Sequence, residues 1–164
     1  MPTNEDGALT HIGEDGRPTM VDVSPKPQSC RRALATGSIT LSSHTRERIR
    51  SNTIAKGNVL ITAELAGTMA AKQTANLIPL CHNIVLSQVT VKATLTSEGV
   101  DVQAEARCTG QTGVEMEALT ATSVALLTIY DMCKAIDKNM VIGPIRLIEK
   151  TKTPLTATNS GDRQ

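Results

Sequence analysis

The chain has no tryptophan, no phenylalanine and a single tyrosine in 164 residues. Aromatic platforms for stacking nucleobases are therefore almost excluded. It also lacks an excess of either charge: 17 basic and 16 acidic residues leave a formal net charge of +1. That argues against a uniform electrostatic grip on nucleic acid. No apolar run approaches the ~20 residues of a membrane span. Cys30, Cys81, Cys108 and Cys133 lie far apart with no Cys-x-x-Cys pair, so zinc-ribbon and iron–sulfur spacings are absent. Reduced, mostly buried thiols in a cytosol-like compartment are expected. Around Lys56-Gly57 the glycine spacing of a P-loop is missing, and no dinucleotide fingerprint occurs. Met1 to Pro18 is polar and resembles neither a secretory signal nor an Arg-rich transit peptide.

What the chain does have is small aliphatic residues: 40% is apolar, drawn from Ala, Leu, Ile, Val and Met. Such a core buries little area per side chain, so subunit contacts are expected to help. Met20–Val23 alternates briefly, and two prolines make residues 24–29 a loop. Residues 32–41 alternate as a strand, with Ala33, Ala35, Gly37, Ile39 and Leu41 on one side. Ser42 or Ser43 caps a short polar helix to about Ser51. Residues 57–78 are expected as one helix, slim through Ala63, Ala66, Gly67, Ala70 and Ala71, with Leu65, Met69 and Leu77 at near-helical spacing. Pro79 forces its end. Residues 85–96 and 100–109 alternate about the turn Ser97-Glu98-Gly99 as a hairpin with one covered face. A helix runs from Val114 to about Ile136, and residues 140–149 close as one strand with Ile145 and Leu147 inward. With one accessory helix set aside, β-α-α-β-β-α-β is the split β-α-β pattern of an α+β, ferredoxin-like domain. Residues 1–19 are expected as a flexible N-terminal tail, 20–150 as the single domain and 151–164 as a flexible C-terminal tail.

Four places can carry chemistry. In the run from Gly110 to Glu117, Thr112 and Glu115 have capping-box spacing, a structural duty that competes with function for Glu115. Glu117 has no such duty, and its small helix-mates Val114, Ala118, Ala121 and Ala125 leave room for a cavity. In Tyr130-Asp131-Met132-Cys133-Lys134, Asp131 and Lys134 share a helix face and form at least a surface ion pair. Glu117 and Asp131 lie fourteen residues apart, about 21 Å along a helix. One small substrate cannot touch both within one subunit. His82, in Leu80-Cys81-His82, sits at a helix-to-strand junction, where loops carry function. Cys81 and His82 would point apart on an extended chain, against a metal site from this pair. His11 and His44 stand in polar stretches and are expected to be exposed. Arg31, Lys56, Lys72, Lys134 and Lys150 are scattered cations, of which Lys56 stands at a helix start that favours an anion.

Several stretches together resemble one family. They are Lys56-Gly57, Ala66-Gly67 with Ala70-Ala71-Lys72, Leu77-Ile78-Pro79-Leu80-Cys81-His82, Thr112-Gly113-Val114-Glu115-Met116-Glu117-Ala118-Leu119-Thr120 and Leu127-Thr128-Ile129-Tyr130-Asp131-Met132-Cys133-Lys134-Ala135. With His11 and Met20–Val23 upstream, the chain is similar to the molybdenum-cofactor biosynthesis protein C family, the cyclic pyranopterin monophosphate synthases, from about Leu9 to Lys150. The resemblance implies a ferredoxin-like lyase assembled as a homohexamer, a trimer of dimers, with active sites at subunit interfaces. Its substrate would be (8S)-3′,8-cyclo-7,8-dihydroguanosine 5′-triphosphate, supplied by a radical enzyme acting upstream. The products would be cyclic pyranopterin monophosphate and diphosphate.

The family's acid/base aspartate matches Asp131, with Lys134 as its partner and Lys56 as a further catalytic lysine. Leu80, Cys81, His82, Glu115, Met116, Glu117 and Arg31 match substrate-binding positions, and Lys72 is a further cation for the phosphates. No cofactor is implied; a divalent cation is conceivable, but no carboxylate cluster indicates one. No nucleic acid or membrane partner is expected, and the compartment would be the cytoplasm of a bacterium or a mitochondrial matrix. Many relatives carry Pro where Asn83 stands, and a Gly-Gly-Lys-Ser-Gly-like loop where Thr151-Lys152-Thr153-Pro154 follows Lys150. That altered end favours the competing reading, an oligomeric module that holds a nucleotide without turnover.

Overall fold

Period-two alternation makes β1 (Ser29–Thr40) the centre of the sheet, since Ala33, Ala35, Gly37 and Ile39 all turn to one buried face. In this computed structural model residues 16–155 are described, so the expected tails lie largely outside the described residues. Along the chain follow α1 (Ser43–Arg50), α2 (Val59–Ala71), α3 (Thr74–Leu77), β2 (Leu86–Leu95), β3 (Gly99–Gly110), α4 (Glu115–Cys133), β4 (Val141–Ile142) and β5 (Arg146–Pro154). The sheet is antiparallel, in the order β2-β3-β1, with β4 and β5 both on the far side of β1. Counting β4 and β5 as one interrupted strand gives a ferredoxin-like order, with α2 and α4 in the two crossovers. Both helices pack on the same sheet face, where Val91, Ala93, Val102, Ala104 and Ala106 are buried.

The expected elements are present, with four corrections. The single helix over 57–78 is divided after Ala71, where the Thr74 hydroxyl donates to the Ala70 and Ala71 carbonyls. Such back-bonding draws carbonyls away from the helical ladder. Pro79 does act as expected: Ile78 before it is extended. The single strand over 140–149 is interrupted at Gly143-Pro144, because Pro144 has no N–H to donate. β5 then continues to Pro154, paired with β1 down to Ser29. Residues 151–154 are therefore strand rather than tail. β1 correspondingly starts three residues earlier than its alternation suggests, since Ser29, Cys30 and Arg31 gain partners on both sides.

The helix layer is built from small residues. Ala63, Gly67, Ala70 and Ala71 of α2 are buried, and so are Ala118, Ala121 and Ala125 of α4. The large side chains of α2 turn the other way: Ile61, Leu65 and Met69 are each about 60% exposed (62%, 61% and 60%). A Cβ added at Gly67 would lie 2.8 Å from the Ala121 carbonyl oxygen and 3.3 Å from the Ala125 methyl. The two backbones approach as closely as glycine allows.

Gly67→Ala tests this packing. Helix propensity alone favours alanine by about 1 kcal/mol, whereas overpacking costs about 1–3 kcal/mol. A lower Tm in thermal denaturation at fixed protein concentration is the expected outcome; a raised Tm would mean the helices can separate freely.

Candidate active site

The fold gathers the expected residues into two groups at opposite ends of α4. At its C-terminal end, Asp131 meets Lys134 one turn on, Nζ to Oδ1 at 2.6 Å. It also meets Lys56, 75 positions away in sequence, Nζ to Oδ2 at 2.7 Å. Lys56 Nζ donates in addition to the Asp131 carbonyl (3.1 Å), one of the carbonyls a helix end leaves unpaired. Lys56 is turned onto α4 by Gly57, whose φ of +99° is closed to other side chains while no atom crowds its Cβ position. At the start of α2, Asn58 is the cap, its Oδ1 accepting from the Ile61 amide at 3.0 Å.

A carboxylate in the last turn of a helix faces the negative end of the helix dipole. Here two ammoniums reverse that penalty. The hydrogen bond from Lys134, followed by that from Lys56, holds the Asp131 carboxyl down at about 2. The same bond raises the Lys134 ammonium above its ordinary range. All three side chains are about half exposed.

At the N-terminal end of α4, a cavity of about 600 Å³ brings together Leu80, Cys81, His82, Glu115, Met116 and Glu117. Val21 and Val23, upstream of β1, close one side of it. His82 donates from Nε2 to the Val21 carbonyl (2.8 Å), since a carbonyl oxygen can only accept. Glu117 is 3% exposed, and its Oε2 has no hydrogen-bond partner among the described residues. Burial pushes its carboxyl above the ordinary value, and the charge of Glu115 adds to the effect. Burial, then the Glu117 charge, pushes up the Cys81 thiol as well. Leaving a buried carboxyl oxygen unpaired is costly.

The expected capping box is not formed. The N-cap of α4 is Val114, without a side-chain cap, and Glu115 Oε1 instead accepts from Lys150 Nζ at 3.0 Å. Arg31 is fixed by two donations, Nε to the Gly110 carbonyl (3.2 Å) and a terminal nitrogen to that of Gln111 (2.9 Å). It lines a second cleft of about 640 Å³, which adjoins the first and shares Lys26, Thr112, Gly113, Glu115 and Lys150 with its lining. Lys26, Lys150 and Lys152 add positive charge there; Lys26 and Lys152 had no signal in the sequence, since only strand register and loop course bring them to the site. Lys72 stands apart, at the end of α2 in a groove of about 440 Å³ beside β2. His44 is exposed, as expected, and His11 lies outside the described residues. Cys108 and Cys133 are buried, Cys81 is half-buried and Cys30 is exposed. Among the described residues no three His, Cys, Asp or Glu side chains converge as a metal site, and no helix is long and apolar enough to cross a membrane.

The MoaC family profile matches residues 20–153. A cyclic pyranopterin monophosphate synthase of Desulfitobacterium hafniense is 55% identical over 144 residues, covering 87% of this chain and 88% of that protein. One of a Thermoanaerobacter species is 53% identical over 145 residues, covering 87% and 92%. Molybdenum cofactor biosynthesis protein 1 of Drosophila melanogaster is 52% identical over 145 residues, which cover 87% of this chain and 26% of the longer fly protein.

Two titrations check the electrostatics. The Asp131 carboxyl, followed by carbon NMR, is expected to titrate near 2 and to return toward 3.8 in Lys134→Ala. Because its folded-state value is depressed, its contribution to stability is present above about 4 and is lost as pH falls toward 2. Glu117 has the opposite sign: with a raised folded-state value, its ionisation opposes folding as pH rises. Glu117→Gln is therefore expected to raise Tm at pH 7 and to change it less at pH 4. Equal Tm values at both pH values would mean that Glu117 is not strained by its charge.

Proposed function

The chain belongs to the MoaC family, and from that premise we propose that it is a cyclic pyranopterin monophosphate synthase of molybdenum cofactor biosynthesis. As a lyase it converts the cyclised dihydroguanosine triphosphate into cyclic pyranopterin monophosphate and diphosphate. The observation that carries this reading is the Asp131 carboxylate held between Lys56 and Lys134 at 2.7 and 2.6 Å. Opening and reclosing heterocyclic rings requires protons to move at several heteroatoms, which one positioned carboxyl can serve if its pKa suits the task. At about 2 the clamped Asp131 is a weak base. An anionic substrate that draws Lys56 and Lys134 onto its own oxygens loosens the clamp and lifts Asp131 toward the working range. In the phosphate step a ribose hydroxyl oxygen bonds to the α-phosphorus and the bond to the bridging oxygen of the departing diphosphate breaks. The hydroxyl proton passes to a base, and ammoniums stabilise the leaving charge.

In our reading the site is completed between copies. α4 is continuous from Glu115 to Cys133, so Glu117 and Asp131 stay about 21 Å apart in one chain. The cavity of one protomer and the Asp131 cluster of another form one pocket in a homohexamer built as a trimer of dimers. The outward Ile61, Leu65 and Met69 of α2 support a covered surface there. The substrate comes from an upstream radical enzyme, in a bacterial cytoplasm or a mitochondrial matrix.

The test is diphosphate release from the cyclised nucleotide. Asp131→Asn is expected to lower kcat at least ~100-fold while the fold is kept, because a helix accepts Asn at modest cost. Mixing Asp131→Asn chains with Glu117→Gln chains and reassembling them should restore roughly a quarter of the sites if the pocket is shared. No recovery would place both groups in one chain's site, and substrate binding without diphosphate release would leave a binding module.

A further inference from the structure

β5 changes face halfway along its length. Strict alternation from Ile145 and Leu147 would turn Glu149 and Thr151 toward the helices. The register breaks instead: Leu147 pairs with Ala35 and Glu149 with Leu34, so Ile148 is an extra residue, a β-bulge on β5. Beyond it the sides are exchanged. Glu149 reaches Arg32 at 2.9 Å, and Arg32 also holds Glu105 at 2.7 Å on the face away from the helices. Lys150 turns to the helix side and meets Glu115 at the start of α4. Lys152, two residues on and opposite Arg31 in the register, shares that side and lines the second cleft.

The cleft therefore collects Lys26, Arg31, Lys150 and Lys152 against one acid, Glu115, and shares Lys26, Glu115 and Lys150 with the lining of the cavity that holds Glu117. Lys150 is engaged by Glu115, and Arg31 by two carbonyls. Among the described residues neither Lys26 nor Lys152 has an ion-pair partner. Two unpaired ammoniums beside an anchored guanidinium suit a chain of phosphates.

We propose that the bulge at Ile148 builds a phosphate-chain subsite, in which Lys152, with Lys26 and Arg31, holds the triphosphate arm of the nucleotide while its base enters the adjoining cavity. This rests on the proposed substrate and adds residues to that site. Lys152 is a binding residue here and takes no part in proton transfer.

The experiment uses the full chain in its native assembly, titrated calorimetrically with inorganic tripolyphosphate. Saturable binding is expected, weakened about five- to tenfold by Lys152→Gln and restored by Lys152→Arg. Lys92→Gln, on exposed β2, should bind as the parent does. KM for the cyclised nucleotide should rise in Lys152→Gln with kcat kept. Absence of tripolyphosphate binding, or equal affinity in Lys152→Gln and the parent, overturns the subsite. Turnover with an indifferent Lys152→Gln sinks the subsite alone. Lys152-dependent tripolyphosphate binding without turnover sinks the proposed activity and leaves the subsite standing.

Discussion

The close seating of α4 on alanine holds the molecule in its working shape. Ala121 and Ala125 meet α2 at Gly67, and Ala118 packs with Ala33, Ala35 and Ala106 of the sheet. Methyl groups contribute little area each, so the gain comes from many short contacts between backbones brought near one another. The result is a rigid rod with little slack. Both candidate half-sites hang on its ends, and their separation is a property of the helix that no side-chain motion can close.

The two ends use charge in opposite ways. Asp131 sits in water's reach between two ammoniums and stays ionised. Glu117 is buried, its Oε2 has no hydrogen-bond partner among the described residues, and burial disfavours its ionised form. Two carboxyls of one helix are thus driven apart in acidity by environment alone, desolvation at one end and ion pairing at the other. Between the cavity and the basic cleft, Lys150 and Glu115 form a gatepost that belongs to both spaces.

Much of the architecture is legible in the amino-acid sequence. Alternation located β1, β2 and β3, and Pro79 located the extended residue before it. The motif residues Leu80, Cys81, His82, Met116 and Glu117 do share one cavity. The slim side of α2, with Ala63, Gly67, Ala70 and Ala71, is the side its partner helix takes, which leaves Leu65 and Met69 facing outward. Residues 151–154 read as a polar tail, yet they are strand, because β1 offers them a partner that a single segment cannot reveal.

The amino-acid sequence by itself determined the order of the main helices and strands, the pairing of Asp131 with Lys134 and the distance between Glu117 and Asp131, all of which follow from local periodicity along one chain. Tertiary structure alone decided that Lys56 joins Asp131 from 75 positions away, that Glu115 serves Lys150 instead of a cap, and that Lys152 faces the cleft. Those outcomes depend on a turn closing across the fold and on one extra residue in a strand. A shift of one position exchanges the two faces of a strand, and only the partner strand sets that position.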